Sequence, residues 1–119
     1  MTKKFHHLGL PTTEIQPGES WVESTRVWVS NPAHHPQRIE WLRYEPDSPV
    51  NAEFQQNPHV AYTVDNLHEH LVGKDVLIAP FEVGEPPFAQ AAFTREDDLI
   101  IEYMQLYPRR HWFDDKLPD

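Results

Sequence analysis

Short alternations of apolar and polar residues run through the chain, and each one predicts a strand with a single buried face. They cover residues 5–10, 21–29, 38–44, 59–64, 76–78, 89–94 and 99–106, seven strands in all. Turn-forming clusters separate them: Gln16-Pro17-Gly18-Glu19, Asn31-Pro32, Pro46-Asp47-Ser48-Pro49, Gly84-Glu85-Pro86-Pro87 and Arg95-Glu96-Asp97-Asp98, the last of which reads as a hairpin turn. One segment has a helical signature. Asp65 can cap it, residues 66–71 continue it, and Gly73 suits the left-handed residue that ends a helix, for a length of about ten residues. The tail over residues 108–119 is rich in charge and proline, with Trp112 and Phe113 as anchors onto a surface, that of a second subunit included.

The pattern repeats. His7-Leu8-Gly9-Leu10 opens the first half and His59-Val60-Ala61-Tyr62 opens the second, while Ile39-Glu40-Trp41-Leu42 and Ile101-Glu102-Tyr103-Met104 close them. The second half is longer between its His and its Glu by about the length of the one legible helix, so the first half has lost or shortened that helix. Strand parity puts His59, Ala61 and Thr63 on one face and Val60, Tyr62 and Val64 on the other. The apolar face lies beneath the helix that bears Leu67 and Leu71. His7 and Gly9 repeat the arrangement, and Glu40 and Glu102 share faces with Leu42 and Met104. A carboxylate among apolar side chains is costly unless paired or metal-bound. Two carboxylates and two histidines in matched positions therefore suggest a shared partner.

Composition narrows the chemistry. The 119 residues fit one domain, here a first module over 1–57, a second over 58–107 and the tail. No cysteine is present, so disulfides, thiolate metal sites and cysteine nucleophiles are excluded together. A net charge of −9 repels a phosphate backbone, so neither nucleic acid nor an anionic membrane is an expected partner. Apolar runs such as Val76 to Ala79 are far too short to span a bilayer, and Met1-Thr2-Lys3-Lys4 leads into histidines rather than a signal-peptide core. A soluble cytoplasmic protein is expected. The four serines, Ser20, Ser24, Ser30 and Ser48, lack a nucleophile elbow, which disfavours a serine hydrolase. His34-His35 sits in a proline-flanked loop, and His68 and His70 are read as helix-surface residues.

Phe5-His6-His7-Leu8-Gly9-Leu10, Pro58-His59-Val60-Ala61-Tyr62-Thr63-Val64-Asp65-Asn66-Leu67, and Ala92-Phe93-Thr94 with Ile101-Glu102-Tyr103 resemble the vicinal oxygen chelate superfamily. That superfamily includes glyoxalase, methylmalonyl-CoA epimerase, extradiol dioxygenases and the fosfomycin and bleomycin resistance proteins. The resemblance implies an α+β fold of two paired βαβββ-like modules, forming an incompletely closed curved sheet or barrel. It also implies a homodimer, which would cover open sheet edges. Carried over position by position, the family's metal ligands fall on His7, Glu40, His59 and Glu102. His6 competes with His7 for the first position, and parity with Gly9 selects His7.

Such a set suits Zn²⁺, Ni²⁺, Co²⁺, Mn²⁺ or Fe²⁺. The implied activity is that of a glyoxalase-like isomerase, epimerase or lyase acting on a small molecule chelated through adjacent oxygens. Glu102 is the first candidate for the base and Glu40 the second. An iron dioxygenase fits less well, because that branch uses one carboxylate. A metal-free binding or sequestering protein of the bleomycin-resistance type is the non-enzymatic alternative. Trp21, Trp28, Trp41, Tyr44, Phe88 and Phe93 are the aromatics available to a pocket or core, and the loops over 46–57 and 80–88 are placed to set its specificity.

Overall fold

The computed structural model describes residues 2–84 and 86–108, and the tail with Trp112 and Phe113 lies outside them. In chain order the elements are β1 (Lys3–Pro11), β2 (Ser20–Val22), β3 (Val27–Val29), a 3₁₀ turn (Pro32–His34), β4 (Ile39–Tyr44), α1 (Ala52–Gln56), β5 (His59–Val64), α2 (Leu67–Leu71), β6 (Asp75–Val83), β7 (Ala89–Glu96) and β8 (Leu99–Leu106). All eight strands join one sheet in the order β2-β3-β4-β1-β5-β8-β7-β6. The result is a mixed α+β fold, a curled half-barrel with two short α-helices among the described residues. Among the described residues no helix is long and apolar enough to cross a membrane.

Two layers of packing follow from the period-two pattern. On the convex side α2 lays Leu67 and Leu71 over Val60, Tyr62, Val64, Ile101 and Tyr103. On the concave side Ala61, Ala89, Ala91 and Met104 pack with Phe88. Small residues dominate that inner face and leave room for a trough. The β7–β8 hairpin turns on Asp97 and Asp98, both at positive φ, as the tight hairpin turn demands.

The structure departs from the expected elements at five places. Residues 21–29 are not one strand but the β2–β3 hairpin, because the polar stretch Glu23-Ser24-Thr25-Arg26 folds into a turn with Arg26 at φ 48°. β6 runs well beyond 76–78 and through Pro80. It is the edge strand and its register slips between Ile78 and Phe81, so the missing amide disturbs little. α2 is half the expected length and is capped by Asn66, whose side chain accepts from the Glu69 amide, rather than by Asp65. α1 arises in the stretch read as a loop, capped by Asn51 accepting from the Glu53 amide. His70 is buried rather than superficial, its ring 5.6 Å from that of Tyr103. No helix lies between β1 and β2, as the shorter first half requires. His34 is exposed at the end of the 3₁₀ turn.

The loop into β2 is clamped by Glu19, whose carboxylate accepts from Arg43 Nε at 3.0 Å and Nη2 at 2.6 Å on β4. Those hydrogen bonds hold the Glu19 carboxyl below its ordinary value of 4.5 despite partial burial. A depressed carboxyl stabilises the fold above its unfolded pKa and loses that contribution as pH falls through the folded value. Arg43→Met should therefore melt earlier than wild type at neutral pH, with the gap narrowing as pH falls below 4.5. Thermal melts across that pH range check this.

Candidate metal centre

β1 and β5 run antiparallel down the middle of the sheet, in a register that pairs His7 with Ala61 and Gly9 with His59. Each histidine thus stands opposite a residue with little or no side chain. The need is strict at Gly9, where a Cβ would lie 2.5 Å from His59 Nε2 and 2.6 Å from Nδ1. Outside this pair, β4 runs parallel to β1 and β8 parallel to β5, with Glu40 beside Gly9 and Glu102 beside Ala61. Both halves repeat one device: a histidine, a small residue two positions on, and a glutamate next to that residue on the neighbouring strand.

The device brings the four sequence candidates together. His7, Glu40, His59 and Glu102 are all buried, His7 completely. His7 Nε2 is 3.4 Å from His59 Nε2, 3.3 Å from Glu102 Oε1 and 3.4 Å from Glu40 Oε1. His59 Nε2 is 3.1 Å from Glu102 Oε1 and 4.0 Å from Glu40 Oε1. Two atoms that each bind a common ion at about 2.1 Å can be no more than about 4.2 Å apart, and all five separations satisfy that bound. His7, His59 and Glu102 form the tight set, with ligand atoms all within 4.8 Å of one another. Glu40 borders this triad and is not part of it.

Burial opposes charge on His7, but the Glu40 carboxylate, reinforced by hydrogen bonds to both glutamates, raises its pKa to about 10. Burial likewise opposes ionisation of Glu102, and hydrogen bonds from His59 and His7 override it, holding the carboxyl far below its ordinary value. His6 is not in the cluster. Its ring lies beside that of His7, where burial and the neighbouring His7 and Arg38 charges lower its pKa to about 4.

Above the cluster opens a cavity of about 470 Å³. Glu40, His59 and Glu102 reach it, and most of its wall is apolar, including Val29, Leu42, Phe81 and Met104. Phe93 stands edge-on to His59, with centroids 5.3 Å apart, and edge-on to Phe54, 5.1 Å away. Sequence reasoning missed Phe54, which reaches the cavity only because α1 forms; the Asn51 cap ahead of Glu53 was the available signal. Of the six candidate aromatics, Tyr44 and Phe93 line the cavity. Burial and the two carboxylate charges push the Tyr44 phenol up, so it stays protonated. Phe88 belongs to the core, while Trp21 and Trp28 pack on each other at 5.0 Å, away from the cavity lining. Both candidate specificity loops contribute, through Val50 and Phe54 from one and Phe81 and Val83 from the other.

Neither protein-family models nor curated proteins match this chain. Among solved structures it is similar to the hypothetical protein BH1468 from Bacillus halodurans C-125, with a TM-score of 0.69 and 19% identity over 93% of this chain and 99% of that one. That likeness shows the fold.

Gly9→Ala should destabilise the protein by about 1–3 kcal/mol through overpacking against His59, measurable by denaturant unfolding. A pH series on chelator-treated protein tests the His7 environment. A histidine with a raised folded pKa stabilises fully below its unfolded value near 6.5 and loses that contribution as pH climbs toward about 10. Stability of the metal-free protein should therefore decline over that interval, and His7→Gln should flatten the decline.

Proposed function

We propose that this protein is a divalent-metal-dependent enzyme of the glyoxalase type, an isomerase, epimerase or lyase acting on a small substrate with adjacent oxygens. The observation that carries the reading is the convergence of two buried imidazoles and two buried carboxylates from four strands at the floor of an apolar cavity. Their donor chemistry fits Zn²⁺, Ni²⁺, Co²⁺, Mn²⁺ or Fe²⁺. His7, His59 and Glu102 would hold the ion and Glu40 would complete or border its shell. When bound, such an ion supplies Lewis-acid polarisation of substrate oxygens.

The residues divide the remaining work. Glu102 belongs to the tight set with both histidines, so as a ligand its carboxylate would be committed to the ion, which makes it a poor base. Both glutamates line the cavity, but Glu40 stands outside the tight triad, so its carboxylate is the freer of the two to take a proton from a bound substrate, the reverse of the order expected from sequence. Phe93, Phe81 and Phe54 exclude water beside His59 and pack against the substrate's apolar body. A homodimer in the cytoplasm, with no nucleic acid or membrane partner, completes the proposal.

A second reading has its own support. Two histidines and one carboxylate in a tight set are also the donor set of ferrous oxygenases, which use a facial triad with open positions. Elemental analysis of protein purified without added metal discriminates: zinc, nickel or cobalt favours the isomerase or lyase, whereas iron favours the oxygenase only if the iron-loaded protein also consumes dioxygen. A protein that retains and binds no metal leaves the sequestering role.

Thermal-shift titration provides the direct test. At a hundredfold excess over the dissociation constant, a metal that binds only the folded state adds about 2.7 kcal/mol of stability, several degrees for a domain this size. The increment should shrink as pH falls from 7.5 to 5.5, because protons compete for the imidazoles. His59→Ala should abolish most of it and His34→Ala should leave it intact. No increment in wild type, or an equal one in His59→Ala, refutes the site.

A further inference from the structure

Adjacent residues on a strand project to opposite faces, so His6 and His7 should point away from each other. They do not. The register of β1 against β5 slips between Phe5 and His7, placing a bulge at His6. The two rings meet edge to face at 5.0 Å and 76°, and their Nδ1 atoms lie 2.7 Å apart. Arg38 braces the bulge from the other side: its Nε donates to the His6 carbonyl, and its own carbonyl accepts the Leu8 amide at 3.0 Å.

Two imidazole nitrogens at 2.7 Å share one proton, one donating and the other accepting. The assignment follows from the opposite edge of His7, whose Nε2 faces Glu40, Glu102 and His59 and is therefore the ligand atom. A neutral imidazole that ligates through Nε2 carries its proton on Nδ1. Metal-bound histidines normally donate that second N–H to a carboxylate or a carbonyl. We propose that His6 is a positioning residue that accepts the Nδ1 proton of His7, fixing the tautomer and ring orientation that aim His7 Nε2 at the ion. This rests on the metal reading above. It also gives the bulge a purpose, since the register slip at His6 brings a chain neighbour to that edge of His7.

The test uses full-length, ¹⁵N-labelled protein and zinc as the probe. Through-bond coupling across Nδ1–H···Nδ1 between His6 and His7 is expected in the wild type, with and without Zn²⁺. His6→Leu removes the acceptor and should weaken zinc binding about 10- to 100-fold by calorimetry. His6→Asn offers a carbonyl oxygen near the lost Nδ1 and should recover most of that affinity. Absence of the coupling overturns the proposal even if His6→Leu fails to fold, as does unchanged zinc affinity in His6→Leu or no recovery in His6→Asn. If wild type binds none of zinc, nickel, cobalt and manganese, the metal reading falls, and with it the positioning role. The coupling in metal-free protein would then still report separately on the hydrogen bond.

Discussion

Four ionisable side chains share one desolvated spot, and the rest of the molecule is arranged so that this is tolerable. An isolated carboxylate or imidazolium in an apolar interior costs several kcal/mol, and the attraction of opposite charges offsets that cost only when their geometry is good. Here the geometry is set by strand register rather than by flexible side chains. Glu40 is fixed by its place beside Gly9 and Glu102 by its place beside Ala61, while the two histidines interlock across the central strand pair. A slip of one residue in any of these pairings would turn a charged side chain to the opposite face of the sheet. The apolar packing around Leu67 and Tyr103 on one side, and around Met104 and Ala91 on the other, resists such slips.

The same logic decided what could be read from the amino-acid order. Period-two alternation reports which face a residue occupies, so the cavity-facing positions of His59, Glu40 and Glu102 were legible, and the repeat linked them across the two halves. Features that depend on a partner strand were not. Nothing local to Gly9 says that an imidazole from residue 59 lies over it, and nothing local to His6 announces a bulge. Short helices escaped for a different reason: five residues such as Ala52–Gln56 carry too little periodicity, and caps at Asn51 and Asn66 become decisive only once packing holds the turn. The burial of His70 has no local signal, because a five-residue helix carries too little pattern to place it and its partner Tyr103 comes from a distant strand.

Equivalence of the halves makes the floor of the trough nearly symmetric, but its walls are not. β6 and β7 supply Leu77, Ile78, Phe81 and Phe93, whereas the first half offers Ser24, Thr25 and Tyr44 among its valines and leucine. A ligand held at the floor would thus meet hydrocarbon alone on one side and hydrocarbon interrupted by a few hydroxyl-bearing residues on the other. Orientation is decided by the walls, and the cluster beneath supplies the attachment point.

The central pairing also has a kinetic consequence. His7 and His59 are 52 residues apart in the chain, yet their strands are immediate neighbours. Contacts of that span form late, because a long loop must close before they contribute anything. The β2–β3 and β7–β8 hairpins are local and can form early on either side, each half holding only two of the four charged groups. The cluster is therefore complete only after the halves have docked. A chain stalled before that point would hold histidines and glutamates in separate fragments, and capture of an ion would mark the end of folding rather than its beginning.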